Sequence, residues 1–516
     1  MATANINDLR IHNARNFMEA LHGPEGQFRS YIFLGRTTTW DTVDEQTQEE
    51  VPPTPTSDVT EFYRTYQEMI SLKYIEPNDV FYMIRRVRWV TGDVYDTYRQ
   101  DYSPTRLSFS GARNLYDARF YVINQANIVY VCLDNNNNAI SVVEPQNDTG
   151  DPFYTSDGYL WLKLYTISNN DMYNHATERY IPITTDSYTA GVEGAVYTVK
   201  IDVRGSGYTN NPANIANQVP FYFCKIVGDG DGAVARVSIT NQKITEIIVV
   251  RNGSGYTYGE LDFTPGNVYI SLADLDNNRS GLDPLGDNNL VTQVIISPPG
   301  GWGYRDDPLL SEEENKKKAE FELARELGGT RIGVFSTLNY PLADFSQDTL
   351  FRQIGILQDP EFTPLAGVNP ETATACFAIK IDNSNKGTDY IIGETIRQVV
   401  QVLDTGEPDK YAIGQVVAWD SNTSVLRYIQ VPQRHCDTDG HMYQFEGPAE
   451  IEGRESNKIE SPNILFQETA SSIQFVNGYS IPEVERYSGL ITNVVNISPI
   501  KRQPSQSERI SLITGY

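Results

Sequence analysis

The tetrapeptides Gly205-Ser206-Gly207-Tyr208, Gly253-Ser254-Gly255-Tyr256 and Gly301-Trp302-Gly303-Tyr304 recur every 48 residues. Each comes after an apolar, β-branched run such as ITEIIVV (244–250) or VTQVIIS (291–297), so the spacing predicts a small β-module used repeatedly. Glycines at alternate positions permit positive φ or close backbone approach, and the tyrosine next to them is placed to pack on the neighbouring repeat. A phosphate-binding loop requires a helix to open directly after its glycines. The three tetrapeptides instead lead into TNNPAN, TYGELD and RDDPLL, which excludes that reading. Three copies are too few to close a propeller.

Composition agrees with a β-rich chain. Its 32 Tyr, 20 Phe, 38 Gly and 27 Pro are the usage of short strands joined by tight turns. Alternation is clear in ARFYVINQANIVYVCLDNNNNAIS, where Val129, Val131 and Leu133 share a face before Asn135 to Asn138 close a turn. DGYLWLKLYTIS sets Tyr159, Trp161, Lys163 and Tyr165 opposite Leu160, Leu162 and Leu164. Both segments are expected to be half-buried strands.

Helices are few. Residues 59–74 place Phe62, Tyr66, Met69 and Ile70 at helical spacing behind Asp58 as N-cap. In SEEENKKKAEFELARELGG, Ser311 and Glu314 form a capping box, Arg325 lies near the last turn and Gly328 suits the terminus. Its Lys316 to Lys318 run reads as a solvated face, because Glu312 to Glu314 lie one turn away.

Lys plus Arg number 41 against 67 Asp plus Glu, a net charge of −26, which argues against a nucleic-acid surface, since phosphate contacts need clustered cations. Protein partners are the expectation. Cys132, Cys224, Cys376 and Cys436 form no Cys-x-x-Cys pair and no disulfide framework. No basic leader with an apolar run and no stretch of about 18 apolar residues occurs, so a soluble, unexported chain without membrane contact is expected.

Segments with the elements of chemistry are sparse. RHCDTDGH brings His435, Cys436, Asp437 and His441 together, but structural zinc sites combine two paired ligand clusters, so a turn is the expectation. DLDNNRSGLD offers Asp274, Asp276, Asn278 and Ser280 at calcium-loop spacing, yet Arg279 stands where glycine is needed and Leu285 where the bidentate glutamate belongs. GDGDG at 228–232 reads as a hairpin turn, and Gly-x-Ser-x-Gly is absent. No catalytic residue, cofactor or metal is expected.

FLGRTTTW (33–40) precedes the acidic, proline-rich DTVDEQTQEEVPPTPTSD, then come MIRRVRW (83–89), VYVCLD (129–134), DGYLWLKLY (157–165), ERYIPI (178–183), FRQIGILQDP (351–360) and the terminal ERYSGLITNVVNISPIKRQPSQSERISLITGY. In this order the set resembles the gene-product-eight type of baseplate wedge subunit of T-even-like contractile-tailed bacteriophages. The resemblance covers residues 28–187, 351–360 and 483–516 and rests on collinearity rather than on any one motif. It departs from the family where only Arg85, Arg86 and Arg88 approximate a basic pair, and where Ile497 replaces a basic residue.

The resemblance implies a non-enzymatic scaffold: a mainly β fold with a β-sandwich core, inserted β-modules and a few short helices. It is expected in the virion tail baseplate after assembly in the host cytoplasm, as a homodimer bridging gene-product-seven, gene-product-six and gene-product-ten types of wedge protein. Residues 1–188 are expected to open the core, with an irregular arm at 41–58. Residues 189–305 form the repeat insertion, 306–384 a helix and a return to the core, 385–479 a second insertion, and 480–516 the closing strands. Arg36, Trp40, Arg85, Arg86, Trp89, Trp161, Arg486 and Gly489 are the family-signature or interface candidates; Arg36 and Trp40 either root an arm that lies on another subunit or make an intrachain ion pair and a packed indole. A glycan-binding or glycan-cleaving tail adhesin is the competing reading, because repeated β-modules with exposed aromatics serve such proteins.

Overall fold

The structure is a computed structural model. It describes residues 6–22, 29–99, 102–184, 192–209, 221–297, 311–337, 351–364, 371–384, 387–402, 409–437, 439–499 and 509–515. The chain is mainly β, with several sheets and short helices. It divides into two compact units, one of residues 1–16, 81–333 and 515–516, the other of 17–80 and 334–514. The breaks in this division fall at 16/17, 80/81, 333/334 and 514/515.

In the second unit, segments far apart in sequence become neighbouring strands. The antiparallel order is Thr372–Thr374, Met69–Tyr74, Ser30–Gly35, Gln353–Gln358 and Leu490–Asn496, around a core of Tyr31, Phe33, Leu72 and Leu357. Asp58 caps the helix Val59–Gln67 by accepting the Thr60 amide hydrogen, as expected. The helix is shorter than expected, since 69–74 is a strand. Met69, Ile70 and Leu72 bury themselves in the ladder with Ser30–Gly35, and that pairing overrides the helical spacing. A separate sheet runs Ile459–Glu460, Ile451–Gly453, Thr395–Gln401, Lys410–Asp420, Val425–Ile429, Phe377–Lys380 and Tyr479–Ser480. Its core contains Ile379, Ile396, Val416, Leu426 and Ile451.

In the first unit, Ile128–Asp134 and Leu160–Thr166 lie at the centre of a four-stranded sheet with Tyr121–Ile123 and Phe153–Tyr154 outside them. Both central strands are buried on both faces, where half-burial was expected. Lys163 is tolerated there because its ammonium reaches Asp148 at the surface. Asn136, Asn137 and Asn138 all take positive φ and turn the chain, as the sequence predicts. The helix Glu312–Leu327 carries the full Ser311/Glu314 capping box and ends at Gly328 with φ 72°.

The repeat region of this unit is built from two sheets that share one core. Lys243–Ser254, Asp231–Thr240, Phe221–Gly228 and Gly259–Leu261 form one, with Val268–Tyr269 also paired to Phe221–Gly228, and Leu290–Ile296 with Val196–Arg204 the other. Val199, Tyr222, Ile226, Val237, Ile247 and Tyr256 meet between them. The first two tetrapeptides exchange equivalent hydrogen bonds. The Tyr208 amide donates to the Gln242 carbonyl, before the second repeat strand, and the Tyr256 amide donates to the Gly194 carbonyl, before the first. Each tyrosine thus docks on the start of the other repeat, as the tetrapeptide pattern predicts. The third tetrapeptide, 301–304, lies outside the described residues.

Candidate functional site

Arg36 takes φ 57°, which turns its side chain inward at the end of the strand Ser30–Gly35. Its guanidinium stacks 3.8 Å from the Trp40 ring centroid, lies 3.5 Å from a Glu68 carboxylate oxygen and donates to the Thr38 and Thr39 carbonyls. Burial pulls its pKa down, opposed by Glu68. The Trp40 indole donates to the Ile497 carbonyl at 3.0 Å. Only 2% of Arg36 and 5% of Trp40 is exposed. Both are therefore buried in their own unit, as an intrachain ion pair and a packed indole.

The arm itself is also tied to its own chain. Residues 42–51 fold back through the bridge between Val43 and Glu50, with Asp44 Oδ1 accepting the Gln46 and Thr47 amide hydrogens. Glu50 is gripped by Arg352, and the Asn496 amide donates to the Pro53 carbonyl. The prolines at 52, 53 and 55 keep the rest out of ladders, as expected, but the first half is an ordered turn.

Arg486 to Gly489 form a turn beside the helix Val59–Gln67. The Arg486 guanidinium lies 4.9 Å from the Phe377 ring centroid, with one Nη buried and unpartnered, and burial lowers its pKa. Gly489 has φ 73°, and a Cβ there would stand 2.7 Å from the Gln358 carbonyl oxygen, so only glycine fits. Its carbonyl accepts the Tyr66 hydroxyl at 2.8 Å. Tyr487 is pushed outward at φ 65°, its ring edge-on to Tyr63 at 5.6 Å and to Tyr66 at 6.0 Å. Tyr63 is 49% and Tyr487 44% exposed, and Val59, Phe62 and Leu490 are exposed as well. This aromatic patch is not among the sequence expectations. The signal was present: VTEFYRTYQ carries more aromatic surface than one helical face can bury.

The remaining candidates lie in the first unit. Arg85 donates to the Tyr116 carbonyl at 2.6 Å and Arg86 to the Thr177 carbonyl at 3.1 Å. The Trp89 indole donates to Ser141 Oγ at 3.0 Å. Arg86, Arg88 and Trp89 line an open groove of about 320 Å³ with Asn124, Gln125 and Glu144. Trp161 is fully buried, stacked on Tyr159 at 5.4 Å and edge-on to Tyr95, in the core beneath its strand.

Among the described residues no group of three or more His, Cys, Asp or Glu side chains is arranged to hold a metal. His435 is buried, its Nδ1 accepts the Val431 amide hydrogen at 2.8 Å, and burial pushes its pKa down to about 4. Asp437 accepts the Asp439 and His441 amide hydrogens, a turn contact, while Arg434 and His435 end the short helix Pro432–His435. Asp276 is held by both Arg251 terminal nitrogens and Asp274 by Arg279, which takes the calcium-spaced acids out of play. GDGDG is the Phe221–Gly228 to Asp231–Thr240 hairpin turn, and Asp229 in it accepts from Thr257 and Tyr258. All four cysteines are free, and no described helix is long and apolar enough to cross a membrane.

Sequence comparison gives no match to any protein-family model and no match to a curated protein.

Proposed function

We propose that the chain is a structural subunit of a contractile phage tail, a baseplate wedge scaffold that works by holding several protein partners. What carries the reading is the convergence of its separated signature segments. Three of them, which supply the strands Ser30–Gly35, Gln353–Gln358 and Leu490–Asn496, are adjacent in one sheet, while those between 83 and 183 lie in the other unit. Segments picked out by collinear resemblance have no reason to be hydrogen-bonded neighbours unless they serve one core. The exposed Phe62, Tyr63 and Tyr487 on that core suit a protein contact, since Tyr-rich patches supply interface anchors at low entropic cost.

In this reading the subunit is a two-fold dimer, as the resemblance implies, and its partners are the gene-product-seven, gene-product-six and gene-product-ten types of wedge protein. The test mixes the purified protein with candidate wedge proteins and tracks co-assembly by electron microscopy, with sedimentation of the protein alone. Tyr63→Ala with Tyr487→Ala should weaken partner binding by about 2 kcal/mol or more while leaving thermal unfolding nearly unchanged. A monomer at micromolar concentration that retains glycans and joins no wedge protein sinks the proposal in favour of an adhesin.

A further inference from the structure

In the seven-stranded sheet, the chain just past the edge strand Ile459–Glu460 pairs with the chain just past Phe377–Lys380, the strand next to the opposite edge. Ile381 bridges Pro462, the Asp382 amide donates to the Ser461 carbonyl and the Asn463 amide to the Lys380 carbonyl. This antiparallel register sets Asn383 opposite Glu460. Lys458 lies two residues before Glu460, so both side chains project to the same side of their extended segment. Three chemistry-bearing side chains, brought from positions 75 residues apart, therefore converge at one seam.

The geometry there is tight and dry. Lys458 Nζ donates to Asn383 Oδ1 at 3.1 Å and to the Thr388 carbonyl at 2.8 Å, and lies 3.6 Å from Glu460 Oε1. The other Glu460 oxygen accepts from the Ser384 hydroxyl and amide. Lys458 is 0%, Glu460 4% and Asn383 7% exposed. The rings of Tyr390 and Trp419 close over the ammonium at 5.7 and 5.6 Å. Neighbouring groups fix the three: Glu394 accepts from the Glu455 and Ser456 amides and the Ser456 hydroxyl, which holds the approach to Lys458 rigid.

Attack requires Lys458 as the free amine, and Glu460, 3.6 Å away, is the group placed to take its first proton. The neutral amine is then a nucleophile one carbonyl bond from the Asn383 carboxamide carbon, with an acid beside it.

We propose that Lys458 and Asn383 form an intramolecular isopeptide bond, with Glu460 as the proton-transferring group. The Lys458 Nζ lone pair attacks Cγ of Asn383, and Glu460, which holds the first lysine proton, gives it to Nδ2 as it takes the second from the attacking amine. The Cγ–Nδ2 bond then breaks and ammonia leaves, with Glu460 left protonated. One amide replaces another, with no oxidant, metal or nucleotide consumed. The product is a covalent clasp across this seam, which ties together the two ends of the strand-bearing segment 383–458 independently of hydrogen bonding.

Intact-mass spectrometry of the denatured full-length protein tests this directly. The expected mass is the sequence mass less one ammonia, and a tryptic digest should yield a branched peptide joining the Asn383 and Lys458 segments, uncut at Lys458. Glu460→Gln and Lys458→Arg should each return the full mass and run more slowly on a denaturing gel. Wild-type protein at full mass overturns the proposal, as does an ammonia loss that persists in Lys458→Arg, which marks a succinimide at an asparagine instead. Should a variant fail to fold, the branched wild-type peptide decides the matter alone.

Discussion

Arg352 holds Glu50 through two parallel hydrogen bonds of 2.6 Å, Nε to one carboxylate oxygen and Nη2 to the other, and its remaining nitrogen donates to the Thr37 carbonyl. Arg352 is 4% exposed, so the pair is a bidentate clamp on the root of the proline-rich segment. Removing one partner leaves a buried charge without its counterion, so Glu50→Ala should cost about 3 kcal/mol in urea unfolding. It should also open residues 41–58 to limited proteolysis, which the wild type resists around 42–51.

The same clamp sets an acid limit. Hydrogen bonds from Arg352 hold the Glu50 carboxyl below its ordinary value, opposed by burial. Its contribution is therefore complete above the usual Glu pKa of about 4.3 and is lost as pH falls through the lower folded value. Glu50→Gln should flatten that part of a stability profile measured from about pH 6 down to roughly 3.

Trp40→Ala removes a buried indole, its stacking with Arg36 and its hydrogen bond to Ile497. A loss of about 3 to 5 kcal/mol is expected, measured by chemical denaturation of the isolated protein. Trp40→Phe should cost less, because it keeps the ring face over the guanidinium. An isolated protein of unchanged stability would return Trp40 to the role of an external anchor.

His435 gives a second, separable pH response. Burial, with Arg434 adding to it, lowers its pKa to about 4. Unfolded chains take up this proton near the ordinary His value of about 6.5, and the folded one does not until about 4. Stability from this site is therefore whole above about 6.5 and falls between there and about 4, by about 3 kcal/mol in all. In His435→Gln the melting temperature should lose most of its slope between those limits.

How much of the fold and of the candidate site is legible in the residues depends on the range of the interaction. The capping box at Ser311, the Asn135 to Asn138 turn and the GDGDG hairpin are local hydrogen-bond devices, and the sequence states them outright. The strand Met69–Tyr74 escapes a sequence reading because its helical spacing is real and only a partner strand overrides it. The burial of Arg36 escapes it for a related reason: its counterion Glu68 is 32 positions away, and charge reads as surface until a partner is known. The Lys458, Asn383 and Glu460 cluster depends on a register across the seam of a sheet, which no local pattern encodes.

The repeat tyrosines allow a test of the close packing that the 48-residue spacing announces. A Cβ at Gly286 would stand 2.3 Å from the Tyr208 ring, and one at Gly230 would stand 2.4 Å from the Tyr256 ring. Both rings are buried, so neither can swing into solvent to make room. The backbones approach in the same way, with Gly207 against Gly286 and Gly255 against Gly230. Gly286→Ala and Gly230→Ala should therefore each destabilise the repeat region by about 1 to 3 kcal/mol through overpacking. Gly266→Ala is the control. Like Gly286 it has a positive φ, but a Cβ there meets nothing within 4 Å, so only the backbone penalty of about 1 kcal/mol remains. Calorimetry of the three variants checks the order. A loss at Gly286 no larger than at Gly266, with none at Gly230, whose φ is not positive, would mean that backbone strain alone, and not the docking of each tyrosine on a glycine, fixes the repeats.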